Sequence, residues 1–252
     1  MDIGPSLRLS SQITPPRKMP DALPIAETFI SIQGEGSLTG VPSWFCRTAG
    51  CNLRCRWCDT PYASWSPEGK TRTVNALFAE ARASGVRHAV LTGGEPMLFP
   101  AIEDLTQRLQ SAHMHVTIET AGTVDRALSC DLISVSPKLA NSTPTDDPRD
   151  PLGIWAKRHE ARRFDPQTLR SVLTRGRTRQ VKFVIADPRD VGEIDEILAQ
   201  VGIDPGEVML MPEGITAPEP GRVRWIVDLC VSRGWRYCPR VHIEVFGNVR
   251  GT

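Results

Sequence analysis

Residues 51–58 read Cys51-Asn-Leu-Arg-Cys55-Arg-Trp-Cys58, a C-x3-C-x2-C spacing that follows the apolar run Ser43–Thr48 and a turn at Gly50. One loop thus brings three thiols together. A 4Fe–4S cluster normally takes four cysteine thiolates, so a tight group of three with no local fourth leaves one iron free for an exogenous ligand. An open metal position is a sign of chemistry rather than scaffolding. The competing reading, a structural zinc site, wants a fourth Cys or His at ordinary spacing, and none follows closely. The other cysteines, Cys46, Cys130, Cys230 and Cys238, read as buried small hydrophobes. Seven cysteines, three of them crowded into eight positions, point to metal ligation in a reducing compartment rather than to disulfides.

On either side of this loop, short apolar runs alternate with amphipathic stretches, the pattern of strands separated by helices. The runs are Ala26–Ile32, Ser43–Thr48, Ala89–Thr92, Val116–Glu119, Leu132–Ser136, Val181–Ile185, Val208–Met211 and Val241–Val245. Helical spacing links Val74, Leu77, Phe78 and Ala81. It recurs in Ile102, Leu105 and Leu109 after Pro100, in Val191–Val201, and in Val223, Ile226, Val227 and Cys230 ahead of Gly234. The expected fold is α/β, a mostly parallel sheet in a partial TIM-like barrel with helices outside, and ligand-binding loops at the C-terminal strand ends. Residues 1–22, rich in Pro and Ser, read as a leader, and 23–252 as one domain. Leu139–Arg179 breaks the rhythm and reads as an insertion with a helix near Pro166–Arg175.

Thirty basic residues against 29 acidic ones leave a formal charge of +1, so no general field draws the chain to nucleic acid or an anionic membrane. No run approaches a membrane span and no secretory signal opens the sequence, which makes the cytoplasm the expected location.

The cysteine spacing, with Trp57 just before its third member, resembles the radical SAM superfamily, in which S-adenosylmethionine (SAM) ligates the fourth iron. Thr92-Gly-Gly-Glu-Pro96 lies one strand and one helix downstream. It matches the superfamily motif for the methionine end of SAM, where glycines permit close backbone approach. Three further segments resemble the 7-carboxy-7-deazaguanine synthase family: Ile32-Gln-Gly-Glu-Gly36, Phe45-Cys-Arg47 and Asp59-Thr60. The resemblance implies that Ile32, Gln33, Gly34 and Thr92 hold a pterin and that Arg47 meets its carboxylate. It implies Thr60 as a Mg2+ ligand. SAM contacts would come from Trp57, Cys58, Asp59 and Gly94, from Ser136, Pro137 and Lys138, and from Leu210, Met211, Pro212 and Glu213. The residue types suit these roles: an amide both donates and accepts, a guanidinium grips a carboxylate twice, and Mg2+ prefers hard oxygen.

The activity so implied is that of a carbon–nitrogen lyase converting 6-carboxy-5,6,7,8-tetrahydropterin to 7-carboxy-7-deazaguanine with loss of ammonia, a step towards queuosine precursors. A SAM-derived radical would take a hydrogen atom from the substrate and later return it, regenerating SAM. The cofactors carry that chemistry, and no side chain is assigned a catalytic role. An electron donor of unknown identity and a homodimer are implied as well. Two other readings share some of these features: a glycyl-radical activating enzyme, against which Ile32–Gly36, Arg47 and Thr60 argue, and a non-catalytic metal-binding module. The sequence departs from the family at Glu119-Thr-Ala121-Gly122, where relatives commonly carry Asn at the third position, so Ala121 and its neighbours receive no role. The five histidines show no ligand spacing and read as satisfied structural residues.

Overall fold

Residues 21–252 are described by the structure, a computed structural model. In chain order the strands are β1 (Ala22–Ile32), β2 (Pro42–Thr48), β3 (Lys70–Thr73), β4 (His88–Gly93), β5 (His115–Thr120), β6 (Cys130–Val135), β7 (Gly176–Ile185), β8 (Val208–Pro212) and β9 (Arg236–Tyr237). The α-helices are α1 (Val74–Ala83), α2 (Ala101–Ser111), α3 (Ile154–Glu160), α4 (Pro166–Leu173), α5 (Asp190–Val201), α6 (Pro220–Arg233) and α7 (Val241–Phe246). All strands join one sheet in the order β3-β1-β2-β4-β5-β6-β7-β8-β9. From β2 to β9 every neighbouring pair is parallel, while β1 and β3 close one side antiparallel. The edges β3 and β9 stay apart, giving the expected unclosed barrel.

Side chains alternate across a strand, so each strand has one face to hide and one to offer. Trp44 and Cys46, Ala89 and Leu91, Val116 and Ile118, Ile133 and Val135, Val181 and Phe183, and Leu210 all pack into the core beneath the helices. The opposite face carries Arg47, Thr92, Glu119, Ser134 and Lys182. Register sets Arg47 beside Thr92, and Glu119 beside Ser134, which faces Gln180. In β1 an extra residue, Ala26, bulges between Ile25, paired with Thr48, and Glu27, paired with Arg47. The bulge turns Glu27 off the face it would share with core-facing Ile25.

Helix starts follow their local chemistry. The Thr73 hydroxyl accepts the Ala76 N–H at 3.2 Å to open α1, and the Asp165 carboxylate accepts the Thr168 N–H at 2.7 Å ahead of Pro166 in α4. In α6, Ile226 and Cys230 are buried as expected, but Val227 faces solvent.

Several expectations are corrected. Residues 1–20 of the leader lie outside the described residues, and Ala22 already belongs to β1. Val241–Val245 alternates like a strand yet forms α7, because β9 offers only two residues to pair with and Pro239 breaks the approach. Lys70–Thr73 was no strand candidate, having no apolar residue, but its backbone pairs with Ala22–Ile25. Residues 139–179 hold α3 as well as α4, and residues 176–179 are the first part of β7. Among the described residues, no helix is long and apolar enough to cross a membrane.

At the opposite end of the strands from the loops, His88 is buried between the Ser43 hydroxyl at 2.7 Å and the Thr117 hydroxyl at 2.8 Å. Burial, aided by nearby His115, pushes its pKa down to about 4. Between pH 6.5 and 4 the unfolded chain therefore binds a proton here that the folded chain does not. Unfolding free energy of the metal-free protein should fall with acidification across that window, at roughly 1.4 kcal/mol per pH unit from this group. Denaturant titrations at stepped pH check it, and His88→Gln should lack this component.

Candidate active site

The polar face of the sheet opens into a cavity of about 480 Å³ at the C-terminal strand ends. One rim comes from the loop after β2, where Trp57, Asp59 and Thr60 line the space. Cys51, Cys55 and Cys58 belong to this loop without forming the wall themselves. Burial pushes the Cys51 thiol up to about 12 and that of Cys55 higher still, so both depend on a metal to become thiolates. Donors to sulfur are in place: the Leu53 N–H lies 3.4 Å from Cys51 Sγ and the Ser64 hydroxyl 3.1 Å from Cys58 Sγ. Among the described residues no three His, Cys, Asp or Glu side chains converge as around a single ion. A four-iron cube makes a different demand, one thiolate at each of three corners, and three thiols on a single loop, two of them with partners to sulfur in place, fit that demand.

The Gly93–Gly94 turn packs directly on this loop. Gly94 N–H donates to Thr48 O at 3.1 Å, Glu95 N–H to Gly50 O at 2.9 Å, and Gly50 N–H to Ala63 O at 2.8 Å. Glu95 is fully buried. Its carboxylate accepts the Thr120 hydroxyl at 2.8 Å and the Ala121 and Met97 N–H groups at 2.9 and 3.0 Å. Burial still leaves its pKa above the usual range. The glutamate of the GGEP motif therefore ties β4 to β5 and does not face the cavity.

Deeper in, Lys182 bridges two carboxylates, with Nζ 2.6 Å from Glu35 and 3.4 Å from Glu119. Burial opposes charge on Lys182, but Glu119 and Glu35 outweigh it and hold its pKa well above the ordinary lysine range. Burial likewise opposes ionisation of Glu35, and Lys182, His242 and Arg240 overcome it, bringing Glu35 down to about 2. Glu119 also accepts from Gln33 Nε2 at 3.2 Å and from the Thr92 hydroxyl at 3.1 Å. Two substrate contacts expected from the sequence thus meet on one carboxylate.

Across the cavity, the Arg47 Nε donates to Glu27 at 2.7 Å. Glu27 also accepts the Tyr62 hydroxyl at 2.7 Å, and Arg250 lies 3.4 Å away. With Nε committed to Glu27, the two terminal nitrogens of the guanidinium remain as the fork for a carboxylate. Phe29 stacks on Phe45, with centroids 4.8 Å apart, beside this fork.

Of the expected site residues, Ile32, Gln33, Gly34, Arg47, Trp57, Asp59, Thr60, Thr92, Gly94, Ser136, Lys138 and Met211 line the cavity. Lys138 Nζ donates to Ser136 Oγ at 2.8 Å and lies over the Trp57 ring. Leu210 points the other way: strand alternation that turns Met211 to the cavity buries Leu210 under the helices, leaving only its backbone near the site. Pro212 and Glu213 border a separate small hollow, and Pro137 is absent from the cavity wall. Glu27, Glu35, Glu119, Lys182, Arg240 and His242 went unassigned in the sequence. Glu35 and Glu119 sit inside motifs already quoted, Ile32–Gly36 and Glu119–Gly122, so their place at strand ends was the available signal. His242 packs on Gly34 so closely that a Cβ there would come within 2.0 Å of its Nδ1, a proximity no spacing rule reveals.

The radical SAM superfamily model matches residues 45–145. The 7-carboxy-7-deazaguanine synthase of Rhodopirellula baltica is 48% identical over 239 residues, covering 94% of this chain and 91% of that protein. That of Halobacterium salinarum is 45% identical, covering 92% and 93%. The crystal structure of QueE from Escherichia coli superposes with a TM-score of 0.66 at 27% identity, covering 88% of this chain and 95% of that one. Identity at this level along nearly the whole length of both partners places the chain in the 7-carboxy-7-deazaguanine synthase family of radical SAM enzymes.

Proposed function

We infer that the protein converts 6-carboxy-5,6,7,8-tetrahydropterin to 7-carboxy-7-deazaguanine with loss of ammonia, in 7-deazapurine biosynthesis. The observation that carries this reading is the charge pattern of the cavity, with acceptors Glu35 and Glu119 around Lys182 on one side and the Arg47 fork on the other. A pterin acid presents the complement, N–H donors along its aminopyrimidinone edge and a carboxylate at the far end. Glu35 and Glu119 accept from that edge, Gln33 and Thr92 supply mixed hydrogen bonding, and Arg47 holds the carboxylate. Ile32 and Gly34 shape the pocket beside them. A small-molecule substrate fits this enclosed space better than the protein partner of an activating enzyme.

The 4Fe–4S cluster and SAM of this superfamily, when bound, supply the one-electron chemistry. Cys51, Cys55 and Cys58 would hold the cluster. Trp57, Asp59, Gly94, Ser136, Lys138 and Met211, which line the cavity, would hold SAM by side chain or close backbone approach, and Pro137, Leu210, Pro212 and Glu213 would contribute backbone alone. Mg2+ is assigned to Thr60, a residue of the cavity wall whose hydroxyl makes no helix-capping bond and lies 3.9 Å from Cys58 Sγ. The protein's task is orientation: fixing both ends of the substrate aims one C–H bond and keeps other bonds out of reach. A homodimer, an external one-electron donor and a cytoplasmic location complete the reading.

Anaerobic turnover of cluster-reconstituted protein with reductant, SAM, Mg2+ and 6-carboxytetrahydropterin tests it. The expected product is 7-carboxy-7-deazaguanine, absent with Cys55→Ala. SAM cleavage with untouched pterin would overturn the substrate assignment. Arg47→Lys should raise KM by about 10- to 100-fold with a smaller change in kcat, since a point charge replaces a two-pronged grip. Steady-state kinetics against pterin concentration checks this.

A further inference from the structure

Residues 139–173 take little part in the site just described, yet many of their contacts fall on one target, the cysteine loop. Arg54 N–H donates to His159 Nδ1 at 3.1 Å, and Arg56 N–H to Ser142 O at 2.9 Å. Arg56 O accepts from Arg149 at 2.8 Å, and the Trp57 indole N–H donates to Asn141 O at 3.2 Å. Every residue from 54 to 57 except Cys55 is therefore gripped from outside the loop. Cys55 is held one step removed: its carbonyl accepts the Trp65 indole N–H at 2.9 Å, and the Arg149 guanidinium lies 4.1 Å from that ring.

His159 is the centre of this grip. It is completely buried in α3, where neither a solvent role nor a place in the cavity accounts for it. Because Nδ1 accepts from the Arg54 N–H, the ring proton must sit on Nε2, where it donates to Ser142 Oγ at 2.8 Å. The Ser142 hydroxyl in turn donates a hydrogen bond to Leu139 O at 2.6 Å. The chain of donors runs in one direction and leaves no member unpaired. Above it, the Arg54 guanidinium donates to Cys51 O and Leu53 O at 2.7 Å and lies 4.1 Å from the Trp155 ring. Cys55, next to Arg54, is only 8% exposed.

We propose that residues 139–163 are a clamp on the cluster loop, in which His159 is the positioning residue and the Arg54–Trp155 stack the cover, and that the clamp keeps solvent and oxygen from the cluster. This rests on the cluster reading of Cys51, Cys55 and Cys58, but not on the identity of the substrate. A buried N–H without an acceptor is costly, so removing the His159 acceptor favours excursions of the loop. Replacing it by a residue that keeps an acceptor near Nδ1 should not.

The test compares wild type with His159→Phe, His159→Asn and Trp155→Ala. Each is reconstituted anaerobically, assayed for iron per chain, then exposed to air-saturated buffer while the visible absorbance of the cluster is followed. His159→Phe should bleach about tenfold faster than wild type, the ratio expected from one lost buried hydrogen bond. His159→Asn should bleach within about twofold of wild type, its side-chain oxygen accepting from Arg54. Trp155→Ala, a partly exposed position that should fold, is expected to take up full iron and bleach severalfold faster. Equal bleaching of His159→Phe and wild type, or of the Phe and Asn variants, would overturn the role of His159. If the Phe variant does not fold, Trp155→Ala decides, and bleaching at the wild-type rate would overturn the clamp. A wild type that takes up no iron would overturn the cluster reading and the clamp together.

Discussion

Lys182→Met should lower kcat/KM by about 100-fold or more and remove roughly 3–5 kcal/mol of stability near neutral pH. Met fills much the same volume, so the effect isolates the charge. Without the ammonium, Glu35 and Glu119 remain in the wall with no cation between them, and the acceptor array loses its fixed geometry. The pH dependence carries a sign. In the wild type, Glu35 is depressed to about 2, so it contributes stability that is present above about 4.5 and lost as pH falls from there towards 2. In the variant, burial is opposed by His242 and Arg240 without the ammonium, the carboxyl pKa rises, and protonation relieves the defect. The unfolded chains titrate alike, so the stability gap between the two proteins should be widest at neutral pH and narrow as pH falls through the variant's raised carboxyl pKa, where only the variant takes up the proton in its folded state. Denaturant unfolding from pH 7 to 4 measures it, and a constant gap would show that packing, not charge, is responsible.

Gly94→Ala is expected to be nearly as damaging by a different route. A Cβ there would sit 2.3 Å from Gly50 O and 2.5 Å from Ala63 O. Both are backbone atoms fixed by hydrogen bonds, Gly50 O by the Glu95 N–H and Ala63 O by the Gly50 N–H, so neither can rotate away. Overpacking of this kind costs about 1–3 kcal/mol, and relief would come from parting the loop from the strand. Iron content after reconstitution should drop, and turnover should fall by about 100-fold or more, the two ends of the SAM site being displaced together. Gly192→Ala, with nothing within 4 Å of its Cβ in α5, is the control and should leave both unchanged.

The strand frame was legible because each central strand keeps an apolar face for the helices, and its boundaries fall within a few residues of the sheet observed. Where that rule does not apply, reading failed. Lys70–Thr73 is paired through its backbone and one Arg72–Thr28 hydrogen bond, with no apolar face to announce it, and Val241–Val245 has strand alternation without a partner. The chemical site was legible where ligands are close in sequence, as in the cysteine loop, or recur in family motifs. Glu27 was invisible because its role depends on a bulge, and a single extra residue decides which face a side chain joins. Lys182 was invisible for a related reason: in the otherwise apolar run Val181–Ile185 a lone lysine reads as an irregularity until its partners, Glu35 and Glu119, are known.

The bulge at Ala26 has one more effect. Its carbonyl accepts from Arg250 at 3.1 Å, while Gly34 O receives the Val241 N–H and the Gly36 N–H reaches Cys238 Sγ. Residues near the two ends of the described chain are thus stitched together along one side of the chamber, in place of the strand pairing that would shut a complete barrel. On a growing polypeptide, the cysteine loop and everything that grips it have left the ribosome before residues 238–250 are made. The cysteine loop and its grip lie wholly in the earlier portion, whereas the chamber wall also draws on Arg240, His242 and residues 248–252. The order of synthesis itself therefore completes the cysteine loop and its grip before the last wall of the chamber is made.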